Sequence, residues 1–228
     1  MKHKINIRGV IIPNDYKWYY DWFKIDSTCV NDVKSIIDQI NDGDEVEVYI
    51  NSPGGVIDVG SEIYTMLRQH ADKVKIYITG EACSAASVIA MASYSEMAPT
   101  ALMMVHCVSS GVNGNHSDME HMAETLRTAD KALSSAYVAK TGMSEEEVLQ
   151  IMEEETWLTA QQALEKGLID KVMFREEQEQ PLVAGPLFAL PSNEQMEKAK
   201  EMMKNTSDQD VILLQTKLNL MKLRKGEK

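Results

Sequence analysis

Short apolar or strictly alternating runs recur along the chain and predict strands at residues 5–12, 45–50, 73–78, 101–106 and 172–174. The run EVEVYI alternates polar and apolar positions, the signature of a strand with one buried face. Between these runs the apolar residues change to helical spacing. Val30, Val33, Ile36, Ile37 and Ile40 line one face of a helix predicted at 28–41, and the pattern repeats at 60–70. Residues 82–93 are Ala, Val, Ile and Met on every side, which predicts a buried central helix. A long helix is predicted at 117–141; Gly142 breaks it, Ser144 restarts it, and Glu155 closes the second helix. Strands alternating with helices read as an α/β fold.

Past Phe174 the periodicity fades into REEQEQPLVAGPLFALPSNEQ, with three prolines, which reads as a linker. The organisation expected is a globular domain at 1–175, a linker at 176–193 and a helical tail at 194–228. In that tail Leu214, Leu218 and Met221 fall at coiled-coil-like spacing.

Charge narrows the partners. The net charge of -12 is concentrated in residues 1–175, with 26 acids against 15 bases, and an acidic body repels phosphate backbones. Nucleic acid is therefore not an expected partner. Three widely spaced cysteines, Cys29, Cys83 and Cys107, suit reduced thiols better than a disulfide framework. No signal-peptide pattern opens the chain and no apolar run has membrane-spanning length, so a cytoplasmic protein without membrane contact is expected.

Four segments carry candidate chemistry. INSPGG at 50–55 follows a strand, and its two glycines allow close backbone approach with N–H groups turned outward. GEACSAAS at 80–87 places Ser84 among small residues where a strand turns into a helix, with the Ala85 N–H at the helix start. MMVHC at 103–107 ends an apolar strand on His106; Cys107 would lie on the opposite strand face. The stretch 153–172 offers carboxylates just ahead of a helix capped by Thr159. His116 and His121 are five apart, a poor spacing for two ligands on one helical face, and no metal or other cofactor is expected.

In order and spacing these segments resemble the proteolytic subunits of the Clp protease family, serine peptidases of ββα superhelical fold related to the crotonases. The resemblance implies Ser84 as nucleophile, His106 as base, the Gly55 and Ala85 N–H groups as oxyanion hole, and Gly54 and Val56 as substrate-binding residues. The family's third triad residue is Asp one position before a segment like TWLTA; this chain has Glu155 there, with Glu154 as the alternative. The family also forms rings, so a homo-oligomeric ring acting on polypeptides is expected.

DYKWYYDWF, SAASVIAMA, ETWLTA and the stretch beginning PLVAGPLF are most similar to the bacteriophage and prophage branch, the head maturation proteases. That likeness implies capsid or scaffold precursors as substrates. The first predicted strand starts near Ile5, leaving no length for the gating segment of housekeeping Clp subunits, so activity without an ATP-driven unfoldase is expected. The rival readings are a housekeeping degradative subunit, a crotonase-type acyl-CoA enzyme and an inactive structural ring protein.

Overall fold

The structure, a computed structural model, describes residues 1–175, 196–198 and 200–201. The chain divides into two units, Met1–Glu176 and Glu177–Lys228. The linker expected at 176–193 lies outside the described residues. Within the tail expected at 194–228, residues 196–198 and 200–201 are helical and exposed, and the rest lies outside the description.

The first unit is a mixed α/β fold on a sheet of eight strands, nearly all parallel. Its strands are β1 (Lys2–Ile11), β2 (Ser27–Thr28), β3 (Glu45–Gly55), β4 (Val74–Cys83), β5 (Tyr94–Met97), β6 (Leu102–Val105), β7 (Thr156–Thr159) and β8 (Lys171–Val172). The main order is β2-β1-β3-β4-β5-β8. Helices α1 (Lys17–Phe23), α2 (Val30–Ile37), α3 (Ile57–Gln69) and α4 (Ala85–Ala90) make the early crossovers. Helices α5 (His116–Thr141), α6 (Glu145–Glu153) and α7 (Ala160–Glu165) follow β6.

Register explains the core. Ile7 is paired with Ile50, Ile50 with Ile78, and Ile78 with Met97, so one apolar row crosses four parallel strands. All four side chains are 0% exposed. Burying each is worth about 1.5–3 kcal/mol, and a one-residue slip of any strand would turn its row out of the core. The opposite face stays polar: Tyr49 and Tyr77 stack there at 5.2 Å between ring centroids, with Lys4 over Tyr49. The alternation in EVEVYI thus reports a parallel sheet with one apolar face.

Most differences from the sequence reading have a tertiary cause. The central helix expected at 82–93 is shorter, Ala85–Ala90, because Ala82 and Cys83 stay in β4, paired with Met103 and Met104 of β6. Helix α3 begins at Ile57, ahead of the expected Gly60, and β1 begins at Lys2. The aromatic segment DYKWYYDWF forms a 3-10 turn at Asn14–Tyr16 and then α1, with Trp18 and Trp22 70% and 77% exposed. No helix among the described residues is long and apolar enough to cross a membrane.

Candidate active site

Parallel sheets place loops of successive strands at one edge, and ligand sites gather at the carboxyl ends of the strands. Here β3 ends at Gly55, β4 at Cys83 and β6 at Val105. Strand β4 pairs through its first half with β5 and through its last residues with β6. That switch draws β6 alongside the end of β4, and the ladder continues as the Ser84 N–H donates to the Met104 carbonyl at 2.9 Å. His106 lies two residues beyond Met104. Its Nε2 is 2.8 Å from Ser84 Oγ. With the ring proton on Nδ1, Nε2 accepts the Ser84 hydroxyl proton, the arrangement of a nucleophile and its base.

Ser84 holds φ 55° and ψ -127°, a conformation an L-residue with a side chain rarely adopts. The sharp strand-to-helix turn exposes its Oγ at the head of α4, as a nucleophile elbow does. Close packing enforces the turn. A Cβ on Gly54, itself at φ 95°, would lie 2.6 Å from the Cys83 carbonyl oxygen and 2.7 Å from Ser84 Cβ. A Cβ on Gly60 would lie 2.9 Å from that of Ala85. Gly54→Ala is therefore expected to displace the elbow and lower peptide turnover by about 10²-fold in protein that still melts cooperatively. A soluble variant with the parent's turnover would contradict this account of the turn.

The two expected oxyanion donors lie beside the pair. The Ala85 N–H is the first of α4, one of the helix's orphan donors, and no carbonyl among the described residues accepts it. On β3, Val56 donates to the Ile11 carbonyl at 2.9 Å while Gly55 is the residue in register with Ile11, so the Gly55 N–H is not spent on β1. Ser52 Oγ fixes the loop by accepting the Gly54 N–H at 3.1 Å and donating to the Gly9 carbonyl at 2.6 Å. Val56, next to Gly55, is exposed. A cavity of about 70 Å³ opens beside Gly55, Ser84 and His106, walled by Ile57, Val88, Leu133 and Met152.

Glu155 is exposed and lies just ahead of β7, which runs antiparallel to β6 with Thr156 opposite Val105, so Glu155 and His106 are the first residues beyond the paired ladder. The ladder stops at Val105, and among the described residues the Glu155 carboxylate and His106 share no hydrogen bond. Glu155 follows the C-cap of α6 at φ 47°, a left-handed position usually given to Gly or Asn. Glu154 instead accepts from the Gln150 side chain at 2.9 Å along α6.

The cysteines are unsuited to nucleophilic work. Burial first, then Glu81, pushes the Cys83 thiol up to about 12; burial, then Asp130, pushes Cys107 up to about 11. Among the described residues no group of three or more His, Cys, Asp and Glu could hold a metal ion.

The sequence reading passed over Asp130 and Tyr137. Ser87 is buried and donates to the Ser84 carbonyl at 2.7 Å, and Tyr137 OH is 2.7 Å from the same Oγ. Helical spacing alone gives α5 no signal for such a role.

Compared with known families, residues 24–176 match the Clp protease family model, which is more than half of the 228 residues.

Proposed function

The chain belongs to the Clp protease family, and from that premise we propose that Ser84, His106 and Glu155 form the triad of an endopeptidase that processes head precursors of an assembling phage. Family membership implies a serine peptidase, and proteins of the family typically form oligomeric rings that act on polypeptides. The observation that carries the catalytic reading is the 2.8 Å contact between Ser84 Oγ and His106 Nε2, made at a strained elbow.

In the mechanism His106 Nε2 takes the Ser84 proton as Oγ attacks the scissile carbonyl. The Gly55 and Ala85 N–H groups bear the oxyanion, and Gly54 and Val56 align the substrate along the end of β3. The imidazolium passes its proton to the leaving amine, leaving an acyl-serine. Water, deprotonated by the same imidazole, then releases the acid and restores Ser84. Glu155 orients the ring through Nδ1–H. An acyl-CoA enzyme of crotonase type would make no use of the Ser84–His106 contact.

The head-precursor reading rests on the likeness of DYKWYYDWF, SAASVIAMA, ETWLTA and PLVAGPLF to the phage branch. The aromatic helix α1, part of that likeness, is exposed and lies ahead of the matched residues 24–176. A homo-oligomeric ring with its sites enclosed fits the same reading. Co-expression with a capsid or scaffold precursor, followed by mass analysis of the products, tests it. Ser84-dependent cleavage of the precursor without ATP is the expected result. Degradation of a tagged folded substrate only with a host unfoldase and ATP, the precursor staying intact, would overturn it.

A further inference from the structure

One face of α5 reaches both halves of the Ser84–His106 pair. Asp130, Leu133 and Tyr137 follow one another at i, i+3 and i+7, which stacks them along one side of the helix over about 10 Å. Asp130 is 9% exposed, and its Oδ1 accepts the Val108 N–H at 2.6 Å. The Cys107 N–H is held by the Met152 carbonyl at 3.1 Å, so the backbone just after His106 is pinned by α6 at one residue and by the Asp130 side chain at the next. Tyr137 is 2% exposed and its hydroxyl meets Ser87 Oγ at 2.7 Å. Since the Ser87 proton goes to the Ser84 carbonyl at 2.7 Å, Tyr137 is the donor to Ser87. Leu133, between them, walls the cavity beside the nucleophile.

Packing alone does not account for Asp130. A buried carboxylate costs free energy unless hydrogen bonds satisfy it, and an apolar residue of similar size would fill the space without that cost. What the carboxylate supplies is a short bond to the backbone just after the base.

We propose that Asp130 is a positioning residue of the acyl-transfer step: it fixes Val108, two residues past the base, and so sets the His106 imidazole against Ser84. Tyr137, acting through Ser87, fixes the nucleophile's own carbonyl, and α5 thereby sets the spacing of the pair. The inference rests on the peptidase reading above.

The test uses the full chain with Asp130→Ala, Asp130→Asn and Tyr137→Phe, following kcat and KM on a fluorogenic peptide and the rate of Ser84 labelling by a fluorophosphonate. Asp130→Ala is expected to lower kcat and the labelling rate together by about 10- to 10²-fold with KM nearly unchanged. Asp130→Asn should recover most of the loss, because its amide oxygen still accepts the Val108 N–H. Tyr137→Phe should show a smaller loss of the same kind. Parent-like kcat in folded Asp130→Ala, a loss confined to KM, or no recovery with Asp130→Asn would each overturn the proposal. If Asp130→Ala does not melt cooperatively, Tyr137→Phe decides, since it removes one oxygen: reduced kcat supports the proposal and unchanged kcat and labelling overturn it. Absence of labelling in the parent protein would sink the peptidase reading itself; equal labelling of parent and Asp130→Ala sinks only this inference.

Discussion

Ser84→Ala is expected to remove peptidase activity, lowering kcat by about 10⁴- to 10⁶-fold, because nucleophile and base act as one unit. The Ser84 Oγ is the only hydroxyl hydrogen-bonded to His106 among the described residues. The methyl that replaces it leaves the base with nothing to activate but water. The folded state should be little affected, since the elbow is held by the Ser84 N–H on Met104 and by the Ser87 bond to the Ser84 carbonyl. Ser87→Ala breaks the second of these and should cost about tenfold through misalignment, far less than loss of the nucleophile. Fluorogenic-peptide turnover with active-site labelling measures both. Full turnover by Ser84→Ala, or a dead Ser87→Ala beside an active Ser84→Ala, would reassign the nucleophile.

Glu155→Gln is expected to be the next most damaging change, with a loss that approaches about 10⁴-fold, the scale seen when a triad loses its orienting carboxylate. The amide can present an N–H to Nδ1, favouring the wrong tautomer, and it no longer stabilises the imidazolium. The β6–β7 ladder ends with Val105 opposite Thr156, which leaves His106 and Glu155 as the residues immediately beyond it. Glu154, engaged with Gln150 on α6, should tolerate Gln with nearly full activity. Paired kcat measurements on the two variants decide. The reverse ranking would move the third position to Glu154, and two silent variants would leave Ser84 and His106 as a dyad.

Three of the four strands that carry the apolar row, β1, β3 and β4, and the crossover helices were legible because their patterns are local, whereas the four-residue β5 was too short to show one. A parallel strand with one buried face must alternate as EVEVYI does, and a crossover helix must repeat its apolar residues every three to four positions. The Thr159 cap was readable for the same reason: its hydroxyl accepts the Gln162 N–H three residues on. The α1 helix was not legible, since its aromatic residues remain exposed and leave no amphipathic signal of burial.

The sequence by itself determined the α/β class, the family resemblance through its four ordered motifs, and Ser84 and His106 as candidates, because each depends on residue identity and short spacing. Only the tertiary structure decided how those candidates meet. The exchange of β5 for β6 along β4 brings His106 to 2.8 Å from Ser84, while Glu155 falls just past the last β6–β7 pair, Val105 opposite Thr156. It also brought Asp130 to the Val108 N–H and Tyr137 to Ser87, contacts made by residues more than 20 positions from His106. These are pairings between segments far apart in the chain, set by which strands hydrogen-bond in which register, and no local periodicity encodes them.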